Sequence, residues 1–436
     1  MKSHDRRGVL CRTSLLALAL GVLAACSDGA RDDRPNVLLI SVDTLRADHL
    51  GSHGYGRPTS PYVDAFAKNA VVFENAQTSA SWTLPGLASI MTARYSSGHG
   101  CWDARSSLAA GTPTVARLLR DEGYDTACVV SHIFLTQRYG LQQGFTHFDD
   151  ELDYPQVHPH EDVTSPRVTE RGIDWIEAKA GAPDGRPWFL WLHYFDPHDS
   201  YLAHEEESEI FATEAAVDLY DGEIHFTDRH LGKLFEALAT AGLDENTIVI
   251  LTADHGEEFG DHGGQKHGRT LYREQLNVPL MIRAPGFQAA RVSDIVRTVD
   301  ILPTLMELTG VELSDARDGA SLVPVMRGEL GRPRPALAEI RLRKGAHLDA
   351  VLWDDWKLIV DANTDRVELY DTESDPTESD NVAASHPDRV RDLRLMLKAL
   401  IAFSAQAAPE YEHRVDLSPA QMSIMQQLGY VGADEE

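Results

Sequence analysis

Asn36-Val-Leu-Leu-Ile-Ser-Val-Asp43 is a short, unbroken apolar run closed by a carboxylate. Such a run reads as a strand buried on both faces, the kind found inside parallel sheets. Comparable runs recur at 126–130, 188–193, 247–252 and 278–282, and helical patterns at 114–122 and 215–239 lie between them. Strands alternating with helices predict an α/β fold with a mostly parallel sheet covered on both faces. After a helical pattern at 300–308 the texture changes to short strand-like pieces at 336–340, 350–353, 356–360 and 367–370, with a closing helix near 390–403. We therefore expect a main domain over 35–330 and a smaller C-terminal α+β subdomain over 331–436, with a small antiparallel sheet and a terminal helix.

Ligands of open α/β sheets gather outside the carboxyl ends of the strands. Asp43, the pair Asp254-His255 and His198 each follow one of the predicted strands. A carboxylate ending a buried strand is costly unless a cation or hydrogen bonds compensate it. A lone aspartate there reads best as a cap for the next turn. Two strand ends that together offer carboxylate oxygens and an imidazole read better as metal ligands.

Between them, Ser81-Trp-Thr-Leu-Pro-Gly-Leu-Ala-Ser-Ile-Met-Thr92 reads as a turn entering a short helix, with Thr83 near the cap and Pro85 in the first turn. A helix N-terminus favours anions and can hold a tetrahedral oxyanion. A threonine hydroxyl is a poor nucleophile unassisted, but a cation held by Asp43 and Asp254 would activate it. Two more segments present histidines. Trp191-Leu-His-Tyr-Phe-Asp-Pro-His198 leaves a strand, and Asp261-His-Gly-Gly-Gln-Lys-His267 is too glycine-rich for a helix and reads as a loop. His198 and His267 are the stronger candidates for contact with a substrate anion, and Lys266, His262 and His132 the weaker ones.

Forty Lys+Arg stand against 68 Asp+Glu in 436 residues, a net charge of −28. That charge repels nucleic acid and anionic membranes at long range, so an anionic substrate needs local cations. The basic start (Lys2, Arg6, Arg7, Arg12) and the apolar run at 15–23 form an export signal over residues 1–26, too short to favour spanning a bilayer. The run ends in Leu23-Ala24-Ala25-Cys26, which resembles a bacterial lipobox. Cleavage before Cys26, lipid on its thiol, and a periplasmic or outer-surface location are expected; this lipid would be the only membrane attachment. Removing residues 1–25 leaves 36 Lys+Arg against 67 Asp+Glu, a charge of −31. Cys101 and Cys128 then remain as thiols, able either to pair in an oxidising compartment or to stay as two buried cysteines.

Taken together, ordered pieces from Pro35 to about Ala384 resemble the sulfatase family of the alkaline-phosphatase superfamily. They comprise the opening Asn36 to Arg46, the segment Ser81 to Thr92, Thr114 to Tyr124, Asp196-Pro-His198, Tyr220-Asp-Gly-Glu-Ile224, Thr252-Ala-Asp-His-Gly-Glu257, and His267-Gly-Arg-Thr-Leu-Tyr272. Val278-Pro-Leu280, Val299-Asp-Ile-Leu-Pro-Thr304, Leu369-Tyr-Asp371 and Asp375-Pro376 complete the set.

The resemblance implies one divalent cation, Zn, Mn or Ca, held by Asp43, Thr83, Asp254 and His255. Thr83 stands beside it as nucleophile, with His198 and His267 near the substrate's anionic group. A second metal would need another Asp/His set; Asp196, His198 and His267 could contribute, but the usual Asp-x-x-x-His spacing is missing, so one metal is expected. Two departures from the family pattern are visible. Where sulfatases carry Cys/Ser-x-Pro-x-Arg, with its cysteine converted to formylglycine, this chain has Thr83-Leu-Pro-Gly-Leu87, and the lysine and histidine expected after the next strand are represented only by Ser131-His132. No formylglycine is therefore expected. The implied activity is hydrolysis of a sulfate or phosphate ester of a small molecule, glycan or lipid through a covalent intermediate. The alternatives are a phosphodiesterase or phosphonate hydrolase, a head-group phosphotransferase, and, outside enzymes, an inactive sulfatase-like binding lipoprotein.

Overall fold

The computed structural model describes residues 32–151, 163–182, 185–329, 331, 333–342, 345, 347–410 and 413–427. The leader with Cys26 and the acidic tail at 433–436 lie outside the described residues.

The main sheet is built from Asn36–Val42 (β1), Val71–Gln77 (β2), Asp125–Val129 (β3), His147–Asp149 (β4), Trp188–Tyr194 (β5) and Thr247–Ala253 (β6). A two-stranded ribbon, Glu258–Phe259 (β7) with Gln265–Lys266 (β8), stands apart, and Asn277–Arg283 (β9) and Ala290–Arg297 (β10) complete the sheet. The order is β10-β2-β9-β6-β1-β5-β3-β4. β1 is central and runs parallel to β5 and β6, while β9 is antiparallel to both β6 and β2. The sheet is thus mixed but mostly parallel, as the buried runs imply.

Alternation along the central strands shows why they are apolar throughout. Val37, Leu39, Phe189, Trp191, Ile248 and Ile250 belong to one core, packed with residues of the helices Thr83–Thr92, Val115–Asp121 and Ile301–Thr309. Leu38, Ile40, Leu190, Leu192, Val249 and Leu251 belong to the other, with the helices Pro61–Ala67, Ser165–Ala180 and Ala216–Thr240. Successive side chains point to opposite faces, so both must be apolar when both are covered.

The C-terminal sheet is antiparallel, formed by Ala336–Arg341 (β11), His347–Trp353 (β12), Trp356–Asp361 (β13) and Val367–Asp371 (β14) in that order. Leu337, Val351, Leu358 and Leu369 meet Leu393 and Leu397 of the helix Pro387–Ser404. Cys101 and Cys128 are both buried and unbonded, so the alternative realised is two separate thiols.

Candidate active site

β1 and β6 are register neighbours, so the residues after them, Asp43 and Asp254, emerge side by side at one end of the sheet. Asp254 Oδ1 accepts the backbone N–H groups of His255 at 2.9 Å and Thr44 at 3.3 Å. Thr44 takes a left-handed conformation, φ 54°, unusual for a threonine and held here by this turn. The helix Thr83–Thr92 lies directly against this turn. A Cβ on Gly86 would stand 2.7 Å from the Asp254 carbonyl oxygen, so only glycine permits the approach. Trp82 is the cap and Thr83 the first helical residue, next to the cap as the sequence implies. The Thr83 hydroxyl consequently faces His255 Nε2 at 3.4 Å.

His255 donates from Nδ1 to the Gly256 carbonyl at 2.9 Å. Its Nε2 lone pair therefore points at Asp43 Oδ1, 3.5 Å away, and Asp254 Oδ2, 3.4 Å away. Among the described residues those two carboxylate oxygens have no hydrogen-bond partner, and all three side chains are fully buried. Burial first, and then each other's charge in the case of Asp43, raises both carboxyls, Asp254 to about 6. Three converging acceptors repel one another unless a proton or a metal cation lies among them, and the raised carboxyls express that demand for positive charge. The ligand atoms of Asp43, Asp254 and His255 all lie within 4.8 Å of one another, a group able to hold a divalent metal ion.

His193 on β5 is a residue that the sequence reading left without a role. It sits opposite Ser41 in register, and its Nε2 is 3.3 Å from Asp43 Oδ2. A nitrogen facing a carboxylate carries the proton, so Nδ1 accepts from Ser41 Oγ at 2.9 Å, and Ser41 accepts from Trp191 Nε1 at 2.9 Å. This chain orients Asp43. The usable signal was a histidine inside a strand otherwise apolar, two residues before the strand's parallel neighbour ends in Asp43.

The other histidines divide by their hydrogen bonds. His132 lies at the site: Nδ1 accepts from Phe134 N at 3.1 Å, leaving an Nε2–H 3.9 Å from Asp43 Oδ2. His198 donates from Nδ1 to the Asp199 carbonyl at 2.5 Å, leaving Nε2 as acceptor. Burial pushes both His132 and His198 well below the ordinary imidazole range. His267 is different. Burial opposes its charge, but the Glu257 carboxylate, 3.0 Å from Nδ1, outweighs that and holds it above the ordinary value. The His267 ring lies 4.7 Å from that of His198 and 4.5 Å from that of His255.

Three candidates are turned to other partners. Lys266 Nζ pairs with Asp199 at 2.7 Å, half-exposed at the rim. His262 faces Glu274 and the Glu378 carbonyl, at 2.8 and 3.0 Å. Asp196 accepts from the backbone N–H groups of Thr164 and Ser165 with its two oxygens, at the start of the helix Ser165–Ala180.

The family model for sulfatases matches residues 35–311, and that for the C-terminal region of N-sulphoglucosamine sulphohydrolase matches 260–404. The chain belongs to the sulfatase family, and it is a sulfatase-like ester hydrolase. Choline-sulfatase of Rhizobium meliloti is 25% identical over 80% of this chain and 82% of its own length. Among solved structures, the putative sulfatase yidJ from Bacteroides fragilis has a TM-score of 0.75 at 20% identity, covering 86% of this chain and 98% of that one. The phosphonate monoester hydrolase of Agrobacterium radiobacter has a TM-score of 0.70 at 23% identity, covering 85% and 96%. These likenesses carry the fold.

Proposed function

We propose that the chain hydrolyses a sulfate or phosphorus ester by in-line attack of Thr83, through a covalent threonine ester, with one divalent cation held by Asp43, Thr83, Asp254 and His255. The observation that carries this reading is the pair of orphaned carboxylate oxygens facing one imidazole lone pair, with the Thr83 hydroxyl 3.4 Å from that nitrogen. Imidazole in the ligand set suits Zn or Mn better than Ca. When bound, the cation would polarise the ester oxygen and lower the proton affinity of the Thr83 hydroxyl.

The chain's own groups supply the rest. Glu257 at Nδ1 favours the protonated form of His267, which would then offer Nε2–H to the leaving oxygen. His132 offers its Nε2–H to a non-bridging oxygen. His198 stays neutral with its Nε2 lone pair free of a proton, suited to take one from the water that cleaves the threonine ester.

Thr83 occupies the position where the family pattern places its formylglycine cysteine, and Leu87 that of the arginine, packed in the core with no exposure. A formylglycine hydrate releases sulfate by collapsing through its second hydroxyl. Threonine has one hydroxyl and a methyl on Cβ, so its ester is released only by water attacking sulfur or phosphorus. Phosphorus esters, including phosphodiesters and phosphonate monoesters, are therefore favoured over sulfates, and the likeness to a phosphonate monoester hydrolase fold supports that choice. A panel of nitrophenyl sulfate, phosphate, phosphodiester and phosphonate esters, run with wild type and Thr83→Ala, tests the reading.

The substrate is a small-molecule, glycan or lipid ester met outside the cytoplasm, with the chain exported and lipid-anchored through Cys26. The leader and the lipobox-like Leu23-Ala24-Ala25-Cys26 support this. No helix among the described residues is long and apolar enough to cross a membrane.

A further inference from the structure

The loop that carries His267 is fastened to the C-terminal sheet by a chain of charges, buried except for the partly buried His262. Lys357 on β13 is 2% exposed and donates to both oxygens of Glu378, at 2.9 and 2.8 Å. Glu378 has a left-handed backbone, φ 55°, a conformation that disfavours a residue with a side chain and is retained here by its partners. Its Oε2 accepts the Arg273 N–H at 3.1 Å, and its carbonyl accepts from His262 Nε2 at 3.0 Å. The other nitrogen of His262, Nδ1, lies 2.8 Å from Glu274 Oε1. Both nitrogens face acceptors, so making both bonds requires the doubly protonated ring. Tyr272 stacks on that ring at 3.8 Å.

The charges balance. Lys357 and His262 offset Glu378 and Glu274, the condition under which a buried ionic cluster is tolerated and the loss of one member is costly. Beyond His262 the chain turns tightly. Glu258 accepts from the amides of His262 and Gly264, and Gln275 donates to Glu258 while accepting from Gly268 N. His267 lies between these anchored points, and the ring that it presents to the site is five residues from His262.

We propose that Lys357, Glu378, His262 and Glu274 form a positioning device through which the C-terminal sheet sets where His267 stands. The catalytic consequence rests on the ester-hydrolase reading above, whereas the mechanical one does not. The four residues act through the loop: Glu274 and Glu378 face His262 from two sides, Glu258 holds its backbone, Tyr272 covers the ring, and Lys357 lies behind Glu378.

The test is hydrogen exchange of the amides at 258–272 in the full chain, with β1 amides as an internal control, comparing wild type, His262→Gln and Lys357→Met. Expected are exchange in the loop about tenfold faster with β1 unchanged, and a kcat about tenfold lower with little change in KM. If Lys357→Met fails to accumulate folded, the neutral pair Lys357→Met with Glu378→Gln takes its place. A wild-type pH series adds a second readout. After correction for intrinsic rates, loop exchange should rise as pH passes above the His262 titration, and His262→Gln should lose that rise. Unchanged loop exchange in folded variants together with a flat pH series would overturn the proposal. Exchange needs no turnover, so the result stands apart from whether Thr83→Ala abolishes activity.

Discussion

The Nε2 lone pair of His255 faces Oδ1 of Asp43 across 3.5 Å, and that oxygen has no hydrogen-bond partner among the described residues. Two acceptors held that close in a dry interior are stable only with something positive between them, and the first three of the expectations below follow from that or from its surroundings.

Protein lacking residues 1–26 should carry about one divalent metal ion per chain by elemental analysis. Chelation should lower the melting temperature and readdition of Zn or Mn should restore it, because a ligand bound only to the native state stabilises it by about 3 kcal/mol at a hundredfold excess over Kd. Metal-free protein of unchanged melting temperature, with no rescue by Zn, Mn or Ca, would remove the metal-hydrolase reading.

Thr83→Ala should lower kcat on the best ester of the nitrophenyl panel by at least about a thousandfold, while Thr83→Ser, which keeps the hydroxyl, should retain a measurable part. The metal content of Thr83→Ala should fall less than its activity, since two carboxylates and an imidazole remain. Full activity in Thr83→Ala would reduce Thr83 to a helix-start residue.

His193→Phe should weaken metal affinity about 10- to 100-fold, the usual effect of removing a partner that orients a ligand. Trp191→Phe, which removes only the far end of the Ser41 chain, should have a smaller effect in the same direction. Competition with a chromogenic chelator measures both without any substrate.

Glu339 on β11 accepts from Ser97 N at 3.0 Å with Oε2, while burial, then Asp349, pushes its carboxyl up to about 7. A carboxyl whose folded pKa exceeds its unfolded value favours folding in its neutral form. Its contribution is therefore present in acid and lost as pH rises from the ordinary carboxylate range through 7. Glu339→Gln should accordingly stabilise the chain above pH 7, by on the order of 3 kcal/mol at most, and have little effect below pH 4. Denaturant midpoints at pH 5 and pH 8 check the sign.

The sequence made legible those elements that are buried on both sides. β1, β5 and β6 are apolar at every position but one or two, and their ends locate Asp43, His198 and Asp254-His255. β2 and β10 escaped notice because the sheet there is half solvated: Val-Val-Phe-Glu-Asn-Ala-Gln and Ala-Arg-Val-Ser-Asp-Ile-Val-Arg break the apolar run with charges that face outward. The direction of β9 was equally hidden, since a buried antiparallel strand reads the same as a buried parallel one. At the site, ligands after strands were visible and partners within them were not. His193 looked like part of a strand, and His262 looked like a loop histidine open to substrate until its two acceptors were seen. The expectations for His132 and Thr83 differ in the same way: both reach the site, but through a tautomer and a helix start that only coordinates display.

The seating of Gly86 against the Asp254 carbonyl has a further meaning for how this molecule can change over evolutionary time. The residue proposed to attack and those proposed to hold the cation are cast into one block, helix against strand end, with no hinge between them. Mutation can hardly tune their spacing without breaking the block. New substrates must instead be accommodated on the facing wall, where the half-exposed pair of Lys266 with Asp199 can be redrawn by one substitution. One half of the site is frozen and the other is open to drift, and divergence among relatives should show up on that second half first.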